Sequence, residues 1–271
     1  MNPQLDALLA QTERAMIAAP RDYRGEYRVG VDLGTAYTVL IVLDENDQPL
    51  AGTYRFANVV RDGLVVDFIG AIDLLRELKR DVEARLGFEL THAATGFPPG
   101  VSRVEVRATA NVVRAAGLDC RAEVDEPTAA NAVLQIRDGA VVDVGGGTTG
   151  IAIIRNGQVV DTADEATGGT HFTLVIAGAL NLSFDDAEKL KVDAREQERL
   201  YPLVRPVMEK VGTIVARHMF DYAVETIYLV GGTANFTGIA QVVEEVTGVR
   251  TIVPARPMFV TPLGIAMRDR E

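Results

Sequence analysis

The chain has 271 residues, and 48% of them are hydrophobic, so it can bury the core of one or two compact domains and is not expected to be disordered. Its formal net charge of −11 repels polyanions, which argues against nucleic acid and anionic membranes as partners. Its apolar runs are too short to cross a bilayer and its N-terminus does not resemble a secretory signal, so we expect a soluble, cytoplasmic protein.

Residues 1–25 are the first predicted element, an amphipathic segment followed by a linker. Apolar side chains recur near one helical face at Leu5, Leu8, Leu9 and Met16, before Pro20 and Gly25 interrupt the pattern. A helix this short needs a surface on which to bury its apolar face. That surface is either the protein's own domain, which we favour, or a partner.

Two similar three-strand meanders follow along the chain. In the first, the strand RVGVDL contains Asp32, a Gly-Thr turn follows at 34–35, and the strands TVLIVL and 50–56 complete the meander. In the second, the strand AVVDV contains Asp143, and a Gly-Gly-Gly-Thr turn at 145–148 leads into GIAIIR, an Asn-Gly turn and QVVDTA. Asp143 takes the place of Asp32, so the chain is predicted to contain two copies of one unit.

Helical patterns follow each meander. After the first, helices are predicted over 70–86, 102–116 and 127–136, around a strand near 91–97. After the second, helices are predicted over 169–180, 184–192, 202–219 and 237–247, with strands at 226–230 and 250–253. Strands and helices that alternate in this way indicate an α/β protein, here built twice.

The glycine-rich turn of the second meander matches G-x-G-x-x-G from Gly145 to Gly150, with the acidic residue Glu165 further on. A dinucleotide-binding fingerprint requires a helix directly after the glycines. Here the next residues, 151–154, are β-branched apart from one alanine and lead into an Asn-Gly hairpin turn. The sequence therefore predicts a hairpin turn whose backbone N–H groups can approach an anion.

Two such turns, each preceded by an aspartate, favour phosphate binding. Backbone amides and threonine hydroxyls would meet the phosphate oxygens, while Asp32 and Asp143 would hold a hydrated Mg²⁺. A tight hairpin that needs glycine only for its backbone conformation explains either turn alone. The pair, at matching positions of a duplicated meander, makes the binding interpretation the stronger one.

Four motifs occur in the order found in the actin, Hsp70 and sugar-kinase superfamily. They are V-D-L-G-T at 31–35, D-E-P-T-A-A at 125–130, V-D-V-G-G-G-T at 142–148 and V-G-G at 230–232. They resemble the phosphate-1, connecting-helix, phosphate-2 and adenosine motifs of that superfamily. Two further segments resemble its MreB and FtsA branch, D-G-L-V-V-D-F at 62–68 and S-F-D-D-A-E-K-L-K at 183–191.

The chain as a whole most resembles the EutJ family of ethanolamine utilization proteins, chaperone-like members of the superfamily. The segments that carry this resemblance are H-A-A-T-G-F-P-P-G at 92–100, D-E-A-T-G-G-T-H at 164–171 and F-V-T-P-L-G-I-A at 259–266.

The superfamily resemblance implies an α/β fold of two actin-like, ribonuclease H-like lobes, each a mixed sheet with helices, with a nucleotide in the cleft between them. Lobe I is predicted over 26–138 and is completed by a C-terminal helix over 255–271. Lobe II, with the phosphate-2 and adenosine motifs, is predicted over 139–254.

The same resemblance implies a role for each matching residue on the phosphate side. Asp32 and Asp143 would approach Mg²⁺ through water. Glu126 matches an acidic residue near the attacking water, so the implied catalytic residues are Asp143, Glu126 and Asp32. The cradle for the β- and γ-phosphates would consist of Gly34, Thr35, Ala36, Gly145, Gly146, Gly147 and Thr148.

On the adenosine side, the resemblance implies contacts from one helix and one glycine pair. Glu188 and Lys191 lie three apart on one helical face and match positions that contact ribose and adenine. Gly231 and Gly232 would let the backbone pass close beneath the nucleotide. No counterpart is found for the Hsp70 lysine that reaches the γ-phosphate, which predicts slow hydrolysis.

These resemblances imply an ATP-binding, slowly ATP-hydrolysing switch that uses ATP or ADP with Mg²⁺ to change how a protein partner is held. For a EutJ-like protein, the partner would be an ethanolamine ammonia-lyase or a shell component of a bacterial microcompartment, and the switch a monomer or dimer in the cytoplasm or at that compartment. The alternative is a nucleotide-dependent filament or scaffold of the MreB/FtsA type with incidental hydrolysis. A small-molecule kinase ranks last, because little chain is left for an acceptor domain.

Overall fold

The computed structural model describes residues 3–18, 23–61 and 63–270. The chain divides into two compact units, residues 1–135 with 259–271 (unit 1) and residues 136–258 (unit 2). The linker residues 19–22 and Asp62 of the MreB-like motif lie outside the described residues. Within the described part of the chain, no helix is both long and apolar enough to span a membrane.

Unit 1 is a mixed sheet covered by helices. Its strands are β1 (Tyr27–Leu33), β2 (Tyr37–Asp44), β3 (Pro49–Phe56), β4 (Val60–Arg61), β5 (Leu64–Val65), β6 (His92–Phe97) and β7 (Asp119–Asp125). Its helices are α1 (Pro3–Ala15), α2 (Phe68–Leu86), α3 (Arg103–Ala115), α4 (Glu126–Leu134) and α9 (Val260–Ala266). The main sheet has the order β3-β2-β1-β6-β7, in which β1 to β3 form an antiparallel meander and β6 and β7 run parallel to β1.

Strand β7 and the small hairpin of β4 and β5 were not among the predicted elements. β7 is the edge strand of the sheet, and its charged residues Asp119, Arg121 and Glu123 are exposed. Edge strands tolerate such residues because one side of the strand faces water. The strand therefore contains no apolar run, although its period-two alternation was a usable signal.

Helix α1 packs on unit 1, as favoured from the sequence. Leu5 and Leu9 are buried, and the helix contacts β3. Arg85 of α2 donates hydrogen bonds to the carbonyl oxygens of Ala15 (3.2 Å) and Met16 (3.1 Å). These carbonyls lie at the last residue of α1 and directly after it, beyond the reach of a further helical N–H, so Arg85 caps the end of the helix.

The C-terminal helix is shorter than the predicted 255–271. Arg256 adopts a left-handed backbone conformation (φ 57°), Pro257–Phe259 form a 3₁₀ turn, and α9 spans Val260–Ala266. A proline cannot donate the backbone hydrogen bond that a longer helix would need at this point. The residues after α9 instead continue to a specific contact with the sheet of unit 1.

That contact is a buried pair between Asp269 and His92. The Asp269 Oδ2 atom lies 2.6 Å from Nδ1 of His92 and accepts a hydrogen bond from the Val29 N–H at 2.8 Å. Tyr27 stacks on the His92 ring with centroids 4.8 Å apart. Burial raises the pKa of the Asp269 carboxyl, and the Val29 N–H and His92 oppose that shift. The pair fixes the end of the chain against β1 and β6.

Unit 2 repeats the plan of unit 1. Its strands are β8 (Gly139–Val144), β9 (Thr149–Arg155), β10 (Gln158–Glu165), β11 (Thr226–Val230) and β12 (Arg250–Ile252). Its helices are α5 (Gly169–Leu180), α6 (Phe184–Val192), α7 (Gln197–Met219) and α8 (Ile239–Thr247). The sheet order is β10-β9-β8-β11-β12, with an antiparallel meander followed by two parallel strands. The predicted duplication is confirmed, because each element of this sheet has its counterpart in unit 1.

Helix α7 begins five residues before the predicted start at 202. It contains Pro202 and Pro206, each of which removes a backbone donor from the helix. Leu200 and Val204 are nevertheless fully buried in the core of unit 2. The burial of these side chains offsets the loss of two backbone hydrogen bonds, so the helix continues through both prolines.

Candidate functional site

The two predicted turns have the same hydrogen-bonded geometry. The Gly34 N–H donates to the carbonyl of Tyr37 at 3.1 Å, and the Gly145 N–H donates to the carbonyl of Thr148 at 3.0 Å. Each turn joins the first two strands of its meander. Asp32 and Asp143 each occupy the second-to-last position of the preceding strand. The sequence similarity between the two meanders therefore extends to backbone conformation.

In unit 1, the predicted residues follow strands that run parallel. The turn at 34–36 follows β1, and Glu126 is the first residue of α4, directly after β7. Because β1, β6 and β7 are parallel, the segments that leave their carboxyl ends lie along one edge of the sheet. Asp125 caps α4 by accepting from the Thr128 N–H at 3.0 Å, which fixes the start of the helix that carries Glu126.

In unit 2, the phosphate-2 turn (145–148) and Gly231 follow the neighbouring parallel strands β8 and β11. Val230 pairs with Asp143 in register, so Gly231 comes next to this aspartate. A Cβ atom at Gly231 would lie 2.2 Å from Oδ1 of Asp143 and 2.6 Å from the carbonyl oxygen of Val144. Its backbone also has φ 89°, a conformation that favours glycine. Only glycine lets β11 leave the sheet this close to Asp143.

The phosphate-2 turn is held by its carbonyl groups. The Gly145 carbonyl accepts from the Gly169 N–H at 2.9 Å and from the Thr233 hydroxyl at 2.7 Å, and the Gly146 carbonyl accepts from the Thr170 N–H at 2.8 Å. In a trans peptide, the N–H of the next residue points opposite to the carbonyl. The N–H groups of Gly146 and Gly147 therefore point away from α5.

Beside this turn, Lys191 and Glu188 form a buried ion pair. The Lys191 ammonium donates to Glu188 Oε2 (2.6 Å), Thr173 Oγ1 (3.0 Å) and the Gly169 carbonyl (3.2 Å). Burial lowers the pKa of Lys191, and Glu188 opposes that shift. A lysine has three N–H donors, and three protein acceptors lie within reach of them. Lys191 thus holds the site together from inside the protein.

Only one of the two carboxylate oxygens of Glu188 is hydrogen-bonded to other described residues. Its Oε2 atom binds Lys191 and Thr173, whereas its Oε1 atom is buried and has no hydrogen-bond partner among the residues that the structure describes. A buried carboxylate oxygen without a donor is costly.

The sequence assigned no role to three residues that meet at this site: Gly169, Thr173 and Thr233. Gly169 links the two parts of the site, because its N–H binds the phosphate-2 turn and its carbonyl accepts from Lys191. The Gly-Gly pair at 168–169 was a usable signal, since paired glycines often mark a close backbone approach. Thr173 lies one helical turn after Gly169, on the same face of α5.

The three histidines have protein partners, as expected for structural residues. His92 pairs with Asp269, His218 Nε2 lies 3.0 Å from Glu165 Oε1, and His171 Nδ1 accepts from the Gly168 N–H at 3.4 Å. Across residues 3–18, 23–61 and 63–270, no group of three or more His, Cys, Asp or Glu side chains is arranged to hold a metal ion.

The fold defines the class to which this protein belongs. The family model of MreB/Mbl protein matches residues 52–187, and that of cell division protein FtsA matches residues 140–264. MreB5 of Spiroplasma citri bound to AMPPNP has a similar fold, with a TM-score of 0.69 and 16% identity, over 89% of this chain and 95% of that one. With its two sheets of the same strand order, the protein has the actin-like fold of the actin and Hsp70 superfamily, as predicted.

Closer relatives identify the family within this class. The ethanolamine utilization protein EutJ of Escherichia coli (strain K12) is 42% identical over 244 residues, which are 90% of this chain and 86% of that protein. The crystal structure of EutJ from Carboxydothermus hydrogenoformans matches with a TM-score of 0.92 and 45% identity, over 97% of this chain and 98% of that one. The chain belongs to the EutJ family.

Proposed function

We propose that this protein is an ATP-binding switch that hydrolyses ATP slowly and acts as a chaperone or assembly factor in bacterial ethanolamine utilization. One observation carries the proposal. In unit 2, Gly169 donates its N–H to the turn at 145–148 and accepts from Lys191, which binds Glu188, and Glu188 Oε1 is buried without a hydrogen-bond partner among the described residues. A ligand that satisfies both the turn and this oxygen combines an anionic group with a hydroxyl donor, as a nucleotide does.

The residues that would hold the phosphates lie on both turns. Gly34, Thr35 and Ala36 of unit 1 and Gly145, Gly146, Gly147 and Thr148 of unit 2 offer backbone N–H groups and threonine hydroxyls. Asp32 and Asp143 would hold Mg²⁺ through water, and the ion would neutralise charge on the phosphates. Glu126 or Asp143 would orient a water for attack.

The adenosine side follows from the same geometry. Glu188 Oε1 would accept from a ribose hydroxyl, and Lys191 would hold this carboxylate in place through its bond to Oε2. Gly231 and Gly232 would let the backbone run close beneath the nucleotide. The MreB5 structure, which contains AMPPNP, supports a nucleotide as ligand in this fold class.

The proposed partner is a protein of ethanolamine metabolism. The family name points to ethanolamine utilization, and the partner that we propose within it is an ethanolamine ammonia-lyase or a shell component of a bacterial microcompartment. This proposal puts the protein in the cytoplasm or at such a compartment, where ATP or ADP would change how the partner is held.

Nucleotide binding predicts a measurable gain in thermal stability. MgATP or MgADP at a hundredfold excess over Kd should stabilise the native state by about 2.7 kcal/mol, because it binds only that state. Asp143→Ala should abolish the Mg²⁺-dependent part of this shift. Asp221→Ala is the matched control. Asp221 is exposed and precedes the start of β11, whereas Asp143 pairs with Val230 at the end of β11. No shift with millimolar adenine or guanine nucleotides would contradict the proposal.

The filament alternative is favoured by the matches to the MreB/Mbl and FtsA family models. Filaments require a head-to-tail contact that repeats without closing. We expect a monomer or dimer instead, because a net charge of −11 opposes dense self-association at low salt. Sedimentation of micromolar protein with MgATP should leave it in the supernatant, and a large pelleted fraction would favour the filament.

A further inference from the structure

The hydroxyl of Thr233 joins two segments that are far apart in the sequence. Thr233 lies in the 3₁₀ turn Gly232–Asn235, which directly follows β11 and Gly231. Its Oγ1 atom donates to the Gly145 carbonyl at 2.7 Å, across 88 residues of chain. Thr233 is itself buried, so this hydrogen bond is partly shielded from water.

The Gly145 carbonyl accepts two hydrogen bonds, of which the Thr233 hydroxyl donates one. The Gly145 carbonyl also accepts from the Gly169 N–H at 2.9 Å, so the turn, the start of α5 and the 3₁₀ turn meet at this oxygen. A carbonyl oxygen has two lone pairs, and both are used here. With both occupied, the peptide between Gly145 and Gly146 has one orientation.

The Thr233 hydroxyl also occupies the space that a side chain at position 169 would need. A Cβ atom at Gly169 would lie 2.5 Å from Thr233 Oγ1. The hydroxyl therefore sits between the turn and α5, where it resists movement of either. Fixing the Gly145 carbonyl in this direction fixes the Gly146 N–H in the opposite one.

We propose that Thr233 is a positioning residue that holds the Gly146 N–H in its phosphate-binding orientation. It acts through the protein backbone and without touching the phosphate. The inference rests on the proposed nucleotide function for its effect on binding, but the anchoring of the turn is independent of any ligand. The effect of Thr233 on nucleotide binding and its anchoring of the turn can be measured separately.

Thr233→Val keeps the shape of the side chain and removes the hydroxyl, whereas Thr233→Ser keeps the hydroxyl. Thr247→Val is a control, because it removes a hydroxyl bond to the Val243 carbonyl at 2.7 Å in α8, away from the turn. Dissociation constants for MgATP and for adenosine are measured by calorimetry. Amide hydrogen exchange at Gly145, Gly169 and Thr170 is measured in the nucleotide-free protein.

Thr233→Val should weaken MgATP binding about tenfold, the size expected for one net hydrogen bond, and leave adenosine binding unchanged. Exchange at the three amides should accelerate without nucleotide, and Thr233→Ser should restore both properties. Equal losses for MgATP and adenosine would overturn the proposal, because Thr233 would then act on the nucleoside and not on the phosphates. Unchanged exchange would also overturn it. If the parent protein binds no nucleotide, the proposed function fails, and the exchange result still decides whether Thr233 anchors the turn.

Discussion

Substitution of Gly264 by alanine is expected to lower the free energy of unfolding by about 3 kcal/mol or more. Gly264 is in α9, and a Cβ atom there would lie 1.8 Å from the carbonyl oxygen of Ala129 in α4. The obstructing atoms are backbone, so they cannot rotate away as a side chain could. Overpacking typically costs about 1–3 kcal/mol, and a contact with rigid backbone belongs at the upper end of that range.

Gly178→Ala provides the matched control for this experiment. Gly178 is exposed in α5, and no atom would lie within 4 Å of an added Cβ. Alanine should stabilise that helix by about 0.8 kcal/mol, because glycine is the weaker helix former. Urea unfolding followed by circular dichroism measures both variants. A Gly264→Ala protein as stable as the parent would mean that α4 and α9 do not pack this closely.

Removal of residues 1–22 is expected to destabilise the protein by about 4 kcal/mol. The deletion uncovers the surface that buries Leu9, which is 0% exposed, and Leu5 and Met16. Burying each such side chain contributes about 1.5–3 kcal/mol, partly offset by the entropy of ordering the helix. Arg85 would also lose the carbonyl acceptors of Ala15, Met16 and Ala18 while it remains partly buried. Thermal and urea unfolding of the truncated protein measure the loss.

Two point variants test whether the packing of α1 is the cause. Leu9→Ala should lower stability by about 2–4 kcal/mol, as for other large-to-small core substitutions. Ile17→Ala should have almost no effect, because Ile17 lies just after α1 with 87% of its surface exposed. If the truncated protein melts at the parent temperature, α1 does not stabilise unit 1, and docking on a partner becomes the better account of the segment.

Much of the fold could be predicted from the sequence because its signals are local. Short runs of apolar, largely β-branched residues and tight turns defined the strands of both meanders, and apolar residues at helical spacing defined α5 and α6. The repeat was detectable because Asp32 and Asp143 lie at matching places before similar turns. β7 was not predicted, because a charged edge strand has no apolar run. The predicted start of α7 was too late, because two prolines near the start of the segment disfavour a helix locally, and the burial that offsets them is visible only in the folded unit.

The candidate site was predictable only in part. The glycines at 145–147 and 231–232 indicated a close backbone approach, and their order along the chain matched a known superfamily. The direction in which Lys191 points could not be predicted. A lysine on a helix usually extends into solvent, and a pair with a buried glutamate is rarer. The structure places the Lys191 ammonium on Glu188, Thr173 and Gly169, and Glu188 Oε1 has no hydrogen-bond partner among the described residues.

By itself, the sequence determined the α/β class, the duplicated meander, and the two turns with their preceding aspartates, because strand period and turn chemistry act over a few residues. Only the tertiary structure decided which distant groups meet. Thr233 reaches the Gly145 carbonyl because β11 is the parallel neighbour of β8, and Asp269 reaches His92 because the chain returns to unit 1. Strand neighbours are chosen by the packing of the whole unit, so no local pattern specifies these contacts.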